Sequence, residues 1–548
     1  MATGTFNPST KIWTGNMHPY RYPLDIYLGE KLLEALDSTP DRVLQISHEE
    51  EKDLTCEEVK ITSIRVAQNL KRLGIKADDV VGFICRNSST IISLIYGCVL
   101  IGAPINPLHV SFDKEKIQQM FRQTKPVLVF CDHDLFELTK EALREIKSNA
   151  MIFTLLKKIP VVPFVNELLI PTGSEYHYKP EKFEKRASEK LVAIICTSES
   201  SKGENLKGVC MPHTAILTFI DMKCRSLKEF RSLNFCSIYL AAGIVGIYLA
   251  PFRAGETRIS SIQPFNPELC VKLIEQYKVN VAVVQPLFLN ALINSSVAQT
   301  GDFSSIILFS CIGSVVTENL RERFKQKFPD KPLLVSYGTN EVFIASMFPG
   351  ESSDGLKVGR TFTNIQLKVA DEEGNPLDLE EVGEILVKPE FKFQGYYNSP
   401  ETTEEIVDRD GFLKTGDMGY MDKDGYVYIL DKNKDIFKYK DTLITPSEIE
   451  SVIESIEGVS SVSVVGIPDQ KVINLPAAVI VKKQGHESLA EHDILSVVAE
   501  KLPHTKQLYG GVYFISEEEM PIGPKARILR QSVRDIAIAK YRNRINVK

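Results

Sequence analysis

Absences narrow the possibilities first. The ten cysteines never form a C-x-x-C pair and never fall at zinc-ligand spacing, which argues against a redox dithiol or a structural zinc. Used this way, they fit a reducing compartment and serve mostly as small buried hydrophobes. Positive charge is not in excess: 65 Lys and Arg stand against 71 Asp and Glu, a net charge of -6, which argues against a polyanionic partner such as nucleic acid. The basic end around Lys540, Arg542 and Arg544 reads as a solvated helix face. No charged-then-apolar leader occupies Met1 to Lys11, and no repeat or low-complexity tract is present. The nine histidines form no dyad with a credible nucleophile and read as surface or core residues. Long apolar runs are almost missing too. Phe235 to Phe252 carries no charge, and its two glycines, Pro251 and flanking Arg231 and Arg253 suit either a membrane span or a buried core element. No other run is as long, so no membrane span is expected.

What remains is ordinary globular composition, 43% hydrophobic and 25% charged, in a chain of 548 residues that is too long for one domain. A helical stretch over Ile61 to Leu73 leads to an apolar strand at Val80 to Ile84, and a second apolar helix leads to another strand at Pro126 to Phe130. Similar unbroken apolar strands recur at Leu191 to Ile195 and Val279 to Val284. Helices alternating with such strands predict parallel sheets covered on both faces. From Gly359 to Leu430 the pattern changes to alternating strands with D-E-E-G and D-K-D-G turns, as in an antiparallel sheet or small barrel. After Asp431 a small α+β unit follows. Thr445-Pro446-Ser447-Glu448 reads as a capping box with proline at the first helical position, and Gly458 as the stop of that helix. Strands at Val462 to Val465 and Pro476 to Val481 and a helix at Asp493 to Leu502 complete it. The boundary between units is expected at Asp431-Lys432.

Four segments carry chemistry, in this order. Thr197-Ser198-Glu199-Ser200-Ser201-Lys202-Gly203-Glu204-Asn205-Leu206-Lys207-Gly208-Val209 follows an apolar strand. Ser336-Tyr337-Gly338-Thr339-Asn340-Glu341 comes second, preceded by Cys311-Ile312-Gly313-Ser314. Third are Lys414-Thr415-Gly416-Asp417 and Asp431-Lys432-Asn433-Lys434, and last is Pro521-Ile522-Gly523-Pro524-Lys525-Ala526-Arg527-Ile528-Leu529-Arg530. Together they resemble the adenylate-forming enzymes: acyl-CoA synthetases, coumarate-CoA ligases and firefly luciferase, most nearly the insect luciferase-like acyl-CoA synthetases. The segment from Phe412 to Glu450 carries the resemblance most densely.

That resemblance implies an α/β fold: a large N-terminal domain, 1–430, with two αβ-layered sheets and a small β-barrel-like subdomain, and a small mobile α+β domain, 431–548. It implies activation of a carboxylic acid by ATP with Mg²⁺, then transfer to coenzyme A. Thr197, Ser198, Ser200 and Ser201 would supply donors to the phosphates and Lys207 a positive charge. Gly313 and Ser314 would shelve adenine beside Tyr337 and Gly338, with Thr339 and Asn340 near phosphate and Glu341 on Mg²⁺. Asp417 would accept both ribose hydroxyls, Lys432 would stand where arginine usually assists, and Lys434 would be the hinge. Arg527 aligns with the lysine that reaches the α-phosphate, and Lys438 with the lysine of the thioester step. Lys525, placed on an extended segment, would start about 6 to 7 Å from Arg527 and be a poor substitute for it.

Departures from the pattern sharpen the expectation. The luciferase-like F-H-H-G segment aligns with Tyr239-Leu240-Ala241-Ala242, without either histidine, which points away from light emission and toward an apolar acyl pocket. Asp441 stands where glycine usually lets pantetheine pass. Two readings follow. One is a fatty-acid-activating acyl-CoA synthetase. The alternative is a catalytically impaired relative that binds an acyl or nucleotide ligand, which Glu199, Lys202, Asn340, Arg527 and Asp441 would favour. The expected compartment is intracellular, cytosolic or peroxisomal. The peroxisome is implied by the family alone, since Asn546-Val547-Lys548 is no S-K-L signal.

Overall fold

A computed structural model describes residues 4–17, 19, 26–197, 206–220, 229–253, 255–343, 346–350 and 357–546. Two αβ-layered sheets dominate. The first has six strands, with Val81–Ile84 flanked by Ile105–Leu108 and Leu128–Asp132 in parallel and Gly208–Pro212 closing one edge antiparallel to Leu191–Cys196. Val81–Ile84 and Leu128–Asp132 are buried at every position, as strands covered on both faces must be. The helix Ile91–Ile101 beside them is buried on all sides and lacks a polar face. Its Gly97 lets the helix Cys56–Arg72 approach so closely that an added Cβ would stand 2.4 Å from a Val66 methyl carbon.

The second sheet begins as parallel strands, among them Phe230–Asn234, Val281–Val284, Leu308–Ile312 and Leu333–Tyr337. It continues through Ser346–Gly350 and Lys357–Thr361 into antiparallel strands that include Ile365–Ala370, Gly383–Pro389, Leu413–Met421 and Tyr426–Lys432. The barrel-like part is therefore continuous with the parallel sheet. The change of direction falls at Leu333–Tyr337, the strand that delivers Tyr337.

Elements beyond Lys432 form a sheet of their own, in which Ile473–Lys482 pairs with Val459–Asp469, Phe437–Tyr439 and Gly511–Ile515. Helix Pro446–Glu454 packs on one face and Arg530–Asn546 on the other, each with its own apolar cluster.

One sequence expectation is corrected here, and one open alternative is resolved in favour of a buried core element. Thr445 is the N-cap, but its side chain accepts no capping hydrogen bond. Glu448 instead receives Lys506, 2.7 Å from one oxygen, and the first-turn N–H of Ser447 donates to Asp431 at 2.8 Å. A buried carboxylate from the preceding strand thus replaces the local cap. The uncharged run Phe235–Phe252 is neither a long helix nor a span: it bends into the nine-residue helix Ala241–Leu249 and buries Ile238, Tyr239, Ile244 and Tyr248. Among the described residues no helix is long and apolar enough to cross a membrane.

The two lobes meet where Thr317 donates to Glu454 at 2.7 Å and Asn290 donates to the Ser460 carbonyl at 3.2 Å. Burial, with Glu450 adding repulsion, pushes the Glu454 carboxyl up to about 7, against the pull of Thr317 and Arg323. Were the lobes to part, this carboxyl would return toward its ordinary range and release its proton, so the contact is favoured as pH falls through 7 and loses that contribution as pH rises. Glu454→Gln is expected to flatten this dependence, which otherwise reaches at most about tenfold per pH unit between about 5 and 7. The proteolysis rate of the interlobe segment, followed against pH in the two proteins, checks it.

Candidate active site

The antiparallel strands Leu413–Met421 and Tyr426–Lys432 put Asp417 and Lys432 directly opposite each other. Cross-strand partners on one face lie within side-chain reach, and Lys432 Nζ meets Asp417 Oδ1 at 2.7 Å. The other carboxylate oxygen accepts the Tyr337 hydroxyl at 2.8 Å. Two local features hold Asp417 in place. Gly416 takes φ +68 and donates its N–H to Glu384 at 2.8 Å, while Thr415 donates its hydroxyl to the Ile385 carbonyl at 2.7 Å. Burial and the Asp417 charge push the Tyr337 hydroxyl far above its ordinary value, so it remains a donor.

A second group gathers at the mouth of the first sheet. Thr197 and Lys207 face each other across the Leu191–Cys196 and Gly208–Pro212 strand pair, with Thr197 N–H on the Lys207 carbonyl at 2.8 Å and Lys207 N–H on the Thr197 hydroxyl at 3.1 Å. Asn340 donates its amide to the Cys196 carbonyl at 2.9 Å, and Tyr239 its hydroxyl to the Thr197 carbonyl at 3.1 Å. The Tyr396 hydroxyl donates to Glu341 at 2.9 Å, and Lys207 Nζ stands 5.2 Å from the centre of the Tyr396 ring. Phosphate-binding chemistry of this kind needs donors, a cation and a carboxylate able to share a metal, and all three meet here. Gly338 and Thr339 bridge the two groups along the chain from Tyr337 to Asn340. Gly313 lies one strand over, exposed and at φ +114, at the end of Leu308–Ile312, and Ser314 beside it is also exposed.

The small lobe supplies the lid of the cleft. Arg527 reaches the first group: Asp417, Asp435 and Tyr337 hold its charge against burial, yet its buried Nε has no hydrogen-bond partner among the described residues. Lys525 is not on an extended segment, contrary to the sequence expectation. Ile522–Gly523 and Arg527–Ile528 form a tight antiparallel hairpin, and Lys525 occupies its tip. Ala526 at φ +47, with its N–H on the Gly523 carbonyl at 3.0 Å, turns the chain between them.

Ser198, Ser200 and Ser201, with Glu199 and Lys202, lie outside the described residues. Lys438 is exposed on the hairpin Phe437–Tyr439 and Thr442–Ile444, away from the cleft, with its carbonyl accepting Asn474 at 3.0 Å. The positive φ of that hairpin turn falls on Lys440, at +52. Lys434 is exposed in the turn after Lys432, where Asn433 N–H donates back to the Gly416 carbonyl at 2.8 Å. His213 is fully buried: its Nδ1 accepts the Leu28 N–H at 3.0 Å, and burial pushes it down to about 3, so it stays neutral and structural. Sequence reasoning missed Tyr396 altogether, because its partner Glu341 lies far back in the chain and no motif links them. Arg530 ended a recognised motif without a role, although it is the hub of the small lobe's charge network.

A two-lobed α/β fold with a carboxylate–tyrosine–lysine grip, a hydroxyl and lysine locus beside it, and a cationic hairpin from the small lobe defines the adenylate-forming class of enzymes. The comparisons agree. The AMP-binding enzyme family matches residues 32–397, and the AMP-binding enzyme C-terminal domain matches residues 448–522. The chain belongs to this family, within the adenylate-forming acyl- and aryl-CoA ligase superfamily. It is 26% identical to luciferin 4-monooxygenase of Photinus pyralis, over 94% of this chain and 96% of that protein. It is 28% identical to a probable 4-coumarate–CoA ligase of Dictyostelium discoideum, over 94% and 97%. Among solved structures, ATP-bound MatB from Rhodopseudomonas palustris superposes with a TM-score of 0.81 at 22% identity, covering 94% of this chain and 99% of that one. The apo form of the same protein gives 0.71.

Proposed function

We propose that this protein is an ATP-dependent acyl-CoA synthetase that converts a medium- or long-chain fatty acid to its adenylate and then to its coenzyme A thioester. The observation that carries this reading is the pairing of Asp417, held by Tyr337 and Lys432, with an Arg527 whose buried Nε has no hydrogen-bond partner among the described residues. A buried guanidinium N–H without an acceptor is costly unless a ligand supplies one, and a nucleotide triphosphate does so.

In that reaction a carboxylate oxygen bonds to the α-phosphorus, the bond to the bridging oxygen breaks, and pyrophosphate leaves with the electron pair. Asp417 accepts the ribose hydroxyls, Tyr337 and Gly338 border adenine beside Gly313 and Ser314, and Thr197, Lys207 and Asn340 face the phosphates. Glu341 would hold Mg²⁺; a single carboxylate completed by substrate phosphates suits that ion, which neutralises phosphate charge when bound. For the second half-reaction the small lobe pivots at Lys434, bringing Lys438 to the cleft and moving Arg527 out. An apolar acyl pocket is read beside Tyr239 and Leu240, which pack in an apolar cluster with Phe112 and Ala242, and no histidine stands at Ala241 or Ala242.

ATP–pyrophosphate exchange over a panel of fatty and aromatic acids tests this reading, with thioester formation measured when coenzyme A is added. Exchange strongest with fatty acids is expected; exchange confined to aromatic acids would move the substrate class. A second reading, nucleotide or acyl binding without turnover, draws on Arg527 standing near the ribose grip in place of lysine. Thermal stabilisation by ATP with no exchange for any acid is its signature.

A further inference from the structure

The hairpin of the small lobe carries two cations, and its turn sends them to different stations. Arg527 sits in the hairpin strand and faces Asp417, Asp435 and Tyr337. Lys525, at the tip, extends toward the other locus, its Nζ 5.9 Å from the centre of the Tyr239 ring. That ring is tied by its hydroxyl to the Thr197 carbonyl, at the start of the phosphate segment. Glu341 is the anion that Lys525 feels most, and the Cys196 end of the strand, held by Asn340, lies beside it. Yet Lys525 has no hydrogen bond or ion pair with any described residue. A partly buried ammonium without a counter-ion costs free energy that a bound anion recovers.

We infer that Lys525 is a catalytic cation of adenylate formation, contacting the α-phosphoryl oxygens and the incoming carboxylate, while Arg527 grips the sugar side of the nucleotide. The inference rests on the ligase reading above and adds to it a residue that no motif assigns. The division is consistent with the turn: with Ala526 at φ +47 the chain reverses between the two residues, so they are not held on one face as they would be two apart on an extended strand, and Lys525 stands by Tyr239. Lysine suits the tip because a compact ammonium on a flexible stem can approach two anions at once, whereas a planar guanidinium needs a fixed fork of acceptors. As the new phosphorus–oxygen bond forms and the bond to pyrophosphate breaks, Lys525 stays protonated and moves no proton. It offsets charge gathering on the α-phosphoryl group and the repulsion between that group and the carboxylate.

Burial, then the neighbouring Arg527, pushes the Lys525 ammonium down to about 8, with Glu341 and Cys196 pulling the other way and Lys432 adding to the repulsion. In the free enzyme the charged form is therefore lost as pH rises through 8, and kcat/KM, which reports free-enzyme groups, falls with it.

The test compares Lys525→Ala, Lys525→Arg and Arg527→Ala in the full chain. ATP–pyrophosphate exchange in Lys525→Ala is expected to fall about 100-fold in kcat, while thioester formation from a synthetic acyl-adenylate and coenzyme A stays within about threefold. That second activity also reports that the variant has folded. Arg527→Ala is expected to act mainly on KM for ATP. Lys525→Arg should retain part of the exchange and shift the alkaline fall of kcat/KM to higher pH. Exchange by Lys525→Ala within about threefold of the unchanged protein, or an alkaline limb unmoved by Lys525→Arg, overturns the inference and leaves the ligase reading standing. Absence of exchange in the unchanged protein with every acid refutes both.

Discussion

Asp417→Ala is expected to lower kcat/KM for ATP by at least about 100-fold. Hydrogen bonds to a charged group contribute roughly 1.5 to 3 kcal/mol each, and this carboxylate would accept two ribose hydroxyls. Its removal also strands two partners: Lys432 Nζ loses its anion at 2.7 Å, and the buried Tyr337 hydroxyl loses its acceptor at 2.8 Å. Asp417→Asn should recover part of the loss, because an amide oxygen still accepts one hydrogen bond while the charge attraction to Lys432 disappears. Pyrophosphate exchange at varied ATP, with nucleotide-induced thermal shift as the binding readout, checks both. Equal ATP affinity in Asp417→Ala and the unchanged protein would displace the nucleotide from this grip.

Arg530→Ala is expected to unfold the small lobe at markedly lower denaturant, by roughly 3 to 5 kcal/mol, the scale for breaking a buried ion pair from one side. The guanidinium lies among three carboxylates: Glu450, which it meets in two contacts, Asp431 at 3.6 Å and Asp435 at 3.8 Å. It also donates to the Val464 carbonyl at 2.9 Å, while Val464 N–H donates to Glu450 at 2.7 Å, so the ion pair clamps the sheet's own backbone. Without the cation, Asp431 and Glu450 repel each other in a buried site, and protonation at low pH then relieves them. Burial already pushes the Asp431 carboxyl up to about 6 against the pull of Arg530, and losing the cation raises it further, so the deficit in Arg530→Ala should shrink as pH falls below 6, whereas the unchanged protein should gain less over the same range. Urea unfolding at pH 8 and pH 5.5 separates the two trends. Arg530 lies two residues beyond the hairpin's second strand, so its loss should also slow adenylate formation by loosening Lys525 and Arg527.

Much of this was legible in the chain because it is local. Unbroken apolar strands between helices forecast covered parallel sheets, and the shift to alternation after Gly359 forecast the antiparallel part, since side-chain period reflects how many faces a strand buries. The Thr415-Gly416-Asp417 and Asp431-Lys432 motifs were legible as members of one site through family resemblance, while their place opposite each other on paired strands is a finding of the structure. Where a local signature failed, tertiary structure offered a stronger partner. Thr445 and Glu448 had capping-box spacing, but Asp431 and Lys506 took over the bonds.

The sequence by itself determined which side-chain chemistries are present and in what order they enter the site: hydroxyls and lysine, tyrosine and glutamate, aspartate and lysine, then two cations in the last motif. Only the tertiary structure decided their meetings, which depend on contacts between distant parts of the chain: Tyr396 on Glu341, Tyr239 under Lys525, and Glu454 on Thr317. It also separated Lys525 from Arg527. A single left-handed residue, Ala526, turns the chain between these two neighbouring cations, and backbone curvature of that kind leaves no trace in residue spacing.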